Sequence, residues 1–579
     1  MVLPAEIQAL RLSDGVARHL SGDLAGAEAI YDQIIAQNAE PAECAEALRL
    51  LGVLNIQKNR LHAAIELLER ALAVAPDNPV ALDNLGVALK GLKHYGEAIA
   101  RFDRALELQP DNLQVQNNRA ITLFEARQFE ASLDAYRKVL SACPGHLGAL
   151  NDCALVLKAL ERRDEALACL DMAAAISPDD VKTLCNRGVT LREMDRHGEA
   201  LDCYDRALAI APTFAEAYHN RGNLLLELCK PHAALVDYER ALALAPGMGE
   251  FAFSKSVCLL QLGDLKEGLA LYENRKARPP HARYFATRAY SQPSLRPGDD
   301  IEGKALYLYW EQGYGDTLQF CRFAKMVEAL GAKVMLSVQN RLHEVLKSLS
   351  PTIELVDEAG APDAFDIHAP LTSMALYFGV DLASLPGETD YLHADPKRVE
   401  QWREKIGDGG FKIGVNWHGN AENTRGLHRS FSLRDLAPLA ALDGVRLISL
   451  QKFAGVEQLQ DLPEGFRVEA FDAFDAGGDA FVDTAAIMEN LDLVITCDTA
   501  LAHLAGALGR PAWLALRHAP EWRWLLDRND SPWYPSLRLF RQEKAGDWAG
   551  LFEDMAQSLD QSQRERKAPN AFVGGRRFG

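Results

Sequence analysis

The sequence has no uninterrupted apolar run of about 18 residues, the length a helix needs to cross a bilayer, so no membrane span is expected. Positive charge is not in surplus either. A formal net charge of −19 excludes general affinity for nucleic-acid phosphates, which need a basic surface. The opening stretch "MVLPAEIQALRLSDG" lacks a basic region followed by an apolar one, so no secretory signal is expected. Its ten cysteines form no Cys-x-x-Cys pair and no Cys/His cluster at zinc spacing. Most lie in helical patterns beside Ala and Leu, where a thiol is a small apolar filler. From the cysteine pattern a reducing cytoplasm is expected. What remains is a globular composition, 48% hydrophobic and 25% charged, over 579 residues, enough for two or three domains.

The first half repeats itself. Gly52, Ala64, Ala71 and Pro76 recur 34 residues later as Gly86, Ala98, Ala105 and Pro110. Later cycles give Gly188, Ala200, Ala207 and Pro212, then Gly222, Ala234, Ala241 and Pro246. The cycles between are looser but keep Pro144, then Ala166, Ala173 and Pro178. Small residues suit a close crossing of two antiparallel helices, and the proline ends the second helix because it lacks an N–H. This is the tetratricopeptide pattern. It predicts roughly eight helix pairs stacked as an α-solenoid over residues 1–275.

A second position keeps the same period: Asn84, Asn118, Asp152, Asn186 and Asn220. Asparagine is a poor helix former, so propensity does not explain its recurrence. A primary amide offers donors and an acceptor, as gripping a peptide backbone requires. It could equally bridge neighbouring repeats. The row resembles the asparagine ladder inside protein O-GlcNAc transferases, and that resemblance implies a protein ligand held at Asn84, Asn118, Asn186 and Asn220.

Residues 276–300, rich in Pro and Arg and without periodicity, read as a linker. Beyond them "ALYLYW", an amphipathic helix and "VMLSV" follow as strand, helix and strand, which implies a parallel sheet. A second series starts at "KIGVNWHG" and continues through "RLISLQ", "LDLVIT" and "AWLAL". The expected arrangement is an α/β fold of two Rossmann-like halves, 301–395 and 396–562, followed by a basic, flexible tail at 563–579. "WEQGYGDTLQF" and "CDTALAHLAGALGRPAWLAL", with "WRWLL" and "SPWYPSLRLFRQ" behind it, resemble the two halves of heptosyltransferase-like glycosyltransferases of GT-B fold. The organisation, repeats joined to such a domain, is similar to protein O-GlcNAc transferases and to bacterial chains associated with flagellin glycosylation.

Asp498 and Thr499 stand where the strand "LDLVIT" gives way to the helix "LAHLAGAL". Free N–H groups at a helix start suit a diphosphate, Thr499 adds a hydroxyl, and Asp498 suits sugar hydroxyls or a plain N-cap. His503 falls one turn on, on the same helix face. The resemblance implies that this segment lines the donor site. It also implies that Asp316, in "QGYGD" beside Gly313 and Gly315, is the base that takes the acceptor proton in an inverting transfer; capping is the plainer role. The resemblance further implies a metal-independent transfer without a cofactor, and the chain fits it in having no Asp-x-Asp cluster at a strand end. Charge for the leaving diphosphate would come from "HGNAENTRGLHRSFSL", with Asn420, Arg425, His428 and Arg429, and from Gln451 and Lys452 in "SLQKF"; surface ion pairs are the plainer role for the basic residues. Most of the aromatics in "HAPEWRWLL" and "SPWYP" are expected in the core.

The function expected is transfer of a sugar from a nucleotide-sugar to a protein hydroxyl, with the repeats recruiting the protein. Two other readings stay open: a scaffold with a retired transferase domain, and a transferase acting on a lipid-linked glycan. Self-association is left open.

Overall fold

The computed structural model describes residues 12–37, 40–279, 281–386, 390–419 and 429–567. The chain divides into two compact units, residues 1–220 and 221–579. The first unit is built from helix pairs: Leu12–Leu20 with Leu24–Ala36, Pro41–Gln57 with Leu61–Val74, Pro79–Gly91 with Tyr95–Leu108, Leu113–Glu125 with Phe129–Ala142, Leu147–Ala159 with Arg163–Ile176, and Val181–Glu193 with His197–Ile210. Ala215–Glu227 and Pro231–Leu244, then Gly249–Gln261 and Leu265–Tyr272, complete eight pairs among the described residues.

The 34-residue spacing is a packing rule. A Cβ added to Gly86 would lie 2.6 Å from the Phe102 ring, and one at Gly188 would lie 2.5 Å from the Tyr204 ring. These first helices therefore lie directly on an aromatic ring of the partner, while a Cβ on Gly52 would meet the Leu68 side chain at 2.7 Å in the same place. Side chains cap the first helices: Asn78, Asn112 and Asp180 each accept a bond from a backbone N–H of the helix that follows. The turns within the pairs share a left-handed residue at the same period. Asn59, Lys93, Arg127, Glu161, Asp195 and Cys229 have φ between 54° and 63°, and Gly263 takes the equivalent place with φ 88°. A side chain in this region costs about 1–2 kcal/mol, which glycine avoids at an entropic cost of roughly 0.5–1 kcal/mol. Lys93→Gly and Arg127→Gly, both at exposed turns, are each expected to raise stability by about 0.5–1 kcal/mol, read from urea midpoints. A loss of stability in both would mean that the left-handed turn carries no strain.

The second unit holds two parallel sheets. Strands β1 (Ala305–Tyr309), β2 (Lys333–Ser337), β3 (Glu354–Val356) and β4 (Ile367–Pro370) are ordered β3-β2-β1-β4. Strands β5 (Phe411–Asn416), β6 (Val445–Ser449), β7 (Val468–Glu469), β8 (Leu493–Cys497), β9 (Ala512–Leu516) and β10 (Leu537–Arg541) are ordered β10-β9-β8-β5-β6-β7. Both sheets are flanked by helices, as the near-continuous apolar strands demand. One buried cluster runs from Leu265 and Leu269 through Leu306, Leu318 and Phe323 to Leu504, Leu514 and Trp533, so helices of both sheets and the last repeat pair share a core.

Two expectations are corrected here. The supposed linker is packed: Leu295 N–H donates to the His368 carbonyl at 2.8 Å, and the Tyr290 ring meets Phe365 and His368 edge-on at 5.4 and 5.0 Å. Its Pro content suits an extended strip laid beside β4, which needs few ladder donors. The final helix, Trp548–Lys567, also runs past the expected start of the tail, because Phe552 and Met555 anchor it on the second sheet.

Candidate functional site

In the second sheet the strand order reverses between β5 and β8, the place where open parallel sheets leave a crevice at their carboxyl ends. Asn416 at the end of β5 organises this point. Its side-chain oxygen accepts from Thr496 Oγ1 and Thr499 Oγ1, each at 2.9 Å, and its amide donates to Gln451 Oε1 at 2.7 Å. Thr499 caps the Ala500–Ala507 helix, and Asp498 precedes it with its carboxylate 9% exposed. Asp498 Oδ1 accepts from the Trp524 indole N–H at 2.9 Å, while Oδ2 lies 3.3 Å from Arg429 NH1.

On the first sheet, β1 runs out into Gly313 and the short Tyr314–Phe320 helix. Asp316 Oδ2 accepts from the Gly313 N–H at 3.0 Å, so the capping role is filled. Its other oxygen accepts from Arg523, a residue of the turn Trp522–Trp524. Arg523 also donates to Gln319 and, at 2.6 Å, to Glu521. Desolvation raises the Glu521 carboxyl above the usual range although Arg523 opposes it.

The two helix starts touch. A Cβ on Gly315 would fall 2.8 Å from His503 Cδ2 and 3.5 Å from Ala500 Cα. Gly315 thus serves a helix-to-helix approach, and the Gly313 N–H is capped by Asp316. His503 is 7% exposed, bonded through Nδ1 to the Tyr534 hydroxyl at 3.0 Å and stacked on Trp524 at 5.4 Å. Burial, helped by the charges of Arg523, Arg322 and Arg429, holds its imidazole well below the usual range and therefore neutral. The junctions near 316 and near 498 therefore meet in one cluster, with packed side chains and not a ligand-sized gap between them. The volume between them is occupied by His503, Trp524 and Arg523. Its accessible rim consists of Asp316, Glu521 and Arg429, whose side chains are 22%, 19% and 29% exposed.

Other expected donor contacts are spent elsewhere. Gln451 accepts from the Trp417 and His418 N–H groups at 3.1 and 3.0 Å and donates to three carbonyls, so it braces the ends of β5 and β6. The Lys452 ammonium donates to the Phe474 and Asp475 carbonyls at 2.6 and 2.8 Å, which removes it from the switch point. Asn420, Arg425 and His428 lie outside the described residues. Sequence reasoning missed Asn416, Glu521, Arg523 and Trp524. Asn416, directly before the "WHG" loop, could have been found as a polar end to an apolar strand; the other three carried no signal beyond aromatic clustering.

In the repeats, Asn118 donates to Asp83 Oδ1 at 2.8 Å and Asn186 donates to Asn151 Oδ1 at 2.9 Å. Both bonds reach back into the preceding repeat, so these rungs hold neighbours together. The buried Asn84 amide nitrogen has no protein partner, and Asn220 stands half-buried on the Ala215–Glu227 helix.

Tetratricopeptide-repeat family models match residues 21–79, 55–121, 181–214 and 215–248, so the helix pairs are tetratricopeptide repeats, an architecture suited to binding proteins. The chain is 32% identical over 295 residues to Protein FlbA of Caulobacter vibrioides, a stretch covering 46% of this chain and 48% of that one. It thus spans about half the length of that curated relative. Among solved structures, a tetratricopeptide repeat protein from Parabacteroides merdae is 17% identical and covers 43% of this chain and 97% of its own, with TM-score 0.38. A thermophilic repeat protein in Thermus thermophilus is 23% identical, covers 32% of this chain and 100% of its own, and has TM-score 0.29.

Proposed function

We propose that the chain is a metal-independent, inverting glycosyltransferase of the GT-B arrangement, moving a sugar from a nucleotide-sugar to a Ser or Thr hydroxyl of a protein, in the cytoplasm. The observation that carries this reading is the convergence of two helix starts, one from each parallel sheet, on a rim of two carboxylates and one guanidinium group, with the buried Arg523 behind it. A helix start with neighbouring arginines stabilises a leaving diphosphate. Asp316 takes the acceptor proton once a ligand draws Arg523 away from its carboxylate. Arg429, part-exposed beside Asp498, supplies countercharge to the phosphates. The repeats recruit the acceptor protein, with flagellin the first to try.

The test is a panel of nucleotide-sugars. At about 100 times its Kd the correct donor adds about 2.7 kcal/mol of stability, a shift readily seen in thermal melts. Arg429→Ala is expected to weaken that donor about tenfold through loss of one charge-assisted contact. If no nucleotide-sugar moves the melting midpoint, the transferase reading fails. One observation favours a second reading, a binding scaffold: Asn118 and Asn186 tie repeats to one another, which a repeat array needs whether or not catalysis follows.

A further inference from the structure

The repeats place the same two positions against each other, one on the first helix and one sixteen residues on, on the second. At one pair of these positions Arg187 NH1 donates to Cys203 Sγ at 3.1 Å. At another, Arg221 makes two bonds of 2.7 Å with Asp237. The equivalent pair on Leu147–Ala159 and Arg163–Ile176 is Cys153 and Cys169. Two short thiols stand where the next two repeats set a long guanidinium against its acceptor. The space the arginine would fill is left open as a cavity of about 390 Å³, lined by Cys153, Cys169, Leu157, Ser141, Arg137 and Glu165 among others. Both cysteines line that cavity, Cys153 within a buried cluster of the repeats and Cys169 packed against it.

We propose that Cys153 and Cys169 form a redox-modification site, which a hydroperoxide entering this cavity closes into a disulfide. The two residues differ in the way such a reaction requires. Cys153 is 3% exposed and Cys169 is part-exposed. The neighbouring Cys153, with the nearby Arg137 charge assisting, holds the Cys169 thiol below its ordinary range, whereas Cys169 and burial hold Cys153 above it. Cys169 is the nucleophile and Cys153 the resolving thiol. The Cys169 thiolate attacks one peroxide oxygen, the O–O bond breaks, and the departing oxygen takes a proton to leave as water or an alcohol. The resulting sulfenic acid is attacked by the Cys153 sulfur. The S–S bond forms, the S–O bond breaks, and hydroxide leaves with the thiol proton as water. Two thiols lose two electrons, and the peroxide gains them.

The experiment uses the full chain and hydrogen peroxide. A non-reducing peptide map is expected to show the Cys153 and Cys169 peptides joined, with loss of two hydrogens, and separated again by dithiothreitol. In Cys153→Ser, dimedone is expected to capture a sulfenic acid at Cys169. In Cys169→Ser, both cross-link and capture disappear, with circular dichroism confirming that both variants keep their helices. Cys169 is expected to react roughly tenfold faster than the part-exposed Cys44 and Cys143. The proposal is overturned if wild-type chain gives no Cys153–Cys169 cross-link while other cysteines oxidise, or if Cys169 passes to the sulfinic acid with Cys153 unchanged.

Discussion

Replacing Arg275 with alanine is expected to destabilise the second unit by about 3–5 kcal/mol, the usual result of leaving a buried charge without its partner. Its side chain and that of Glu311 are each 1% exposed. The guanidinium donates to both Glu311 oxygens at 2.9 and 2.7 Å, to Ser373 at 2.8 Å, to Glu273 at 2.6 Å and to the Tyr272 carbonyl at 3.2 Å. A planar group with five donors meets all of these; an ammonium does not, so Arg275→Lys is expected to recover less than half of the loss. The double change Arg275→Met with Glu311→Leu removes both charges and is expected to cost far less than Arg275→Ala alone. Denaturant midpoints decide the matter, and a loss below about 1 kcal/mol for Arg275→Ala would show that the pair carries no structural weight.

Acid adds a second readout of the same network. Desolvation works against ionised Glu273, but Arg275 and Lys276 outweigh it and hold the carboxyl at about 2, against 4.5 for a free glutamate. A carboxyl depressed on folding contributes stability that is complete above about 4.5 and is lost as pH falls toward about 2. Removing Arg275 is therefore expected to flatten the stability profile within that window.

Under the proposed function, Asp316→Asn is expected to lower sugar transfer by about 10²–10⁴-fold with donor binding unchanged, since general bases contribute on that scale. The amide keeps an oxygen to cap Gly313 N–H and is nearly the same size, so folding is expected to survive. Measuring kcat beside donor-induced thermal stabilisation separates lost chemistry from lost binding. Undiminished transfer by the variant would remove Asp316 from the reaction.

The repeats were legible because a packing requirement recurs: a small residue against a bulky apolar side chain, once per 34 residues. The strands were legible as apolar runs. The rim around Asp316 was legible only in half. Asp316 and Asp498 stand at strand-to-helix junctions, which leave a local signature. Arg523 meets Asp316 across 207 residues of chain, from a short 3₁₀ turn without periodicity, and no local pattern announces such a meeting. Gln451 and Lys452 misled for a related reason. A polar residue ending a strand serves either a ligand or the neighbouring backbone, and only the fold distributes the partners. The same ambiguity runs through the asparagine row, where Asn118 and Asn186 grip the repeat behind them.

The bare backbone of Gly315, seated against His503 and Ala500, leaves no slack at the seam between the two sheets. Clamshell opening there would strip the imidazole of its packing and expose the buried Trp524 and Tyr534 rings to water. The seam therefore sets the cost of any hinge motion between the two sheet regions, because opening it trades packed aromatic area for water.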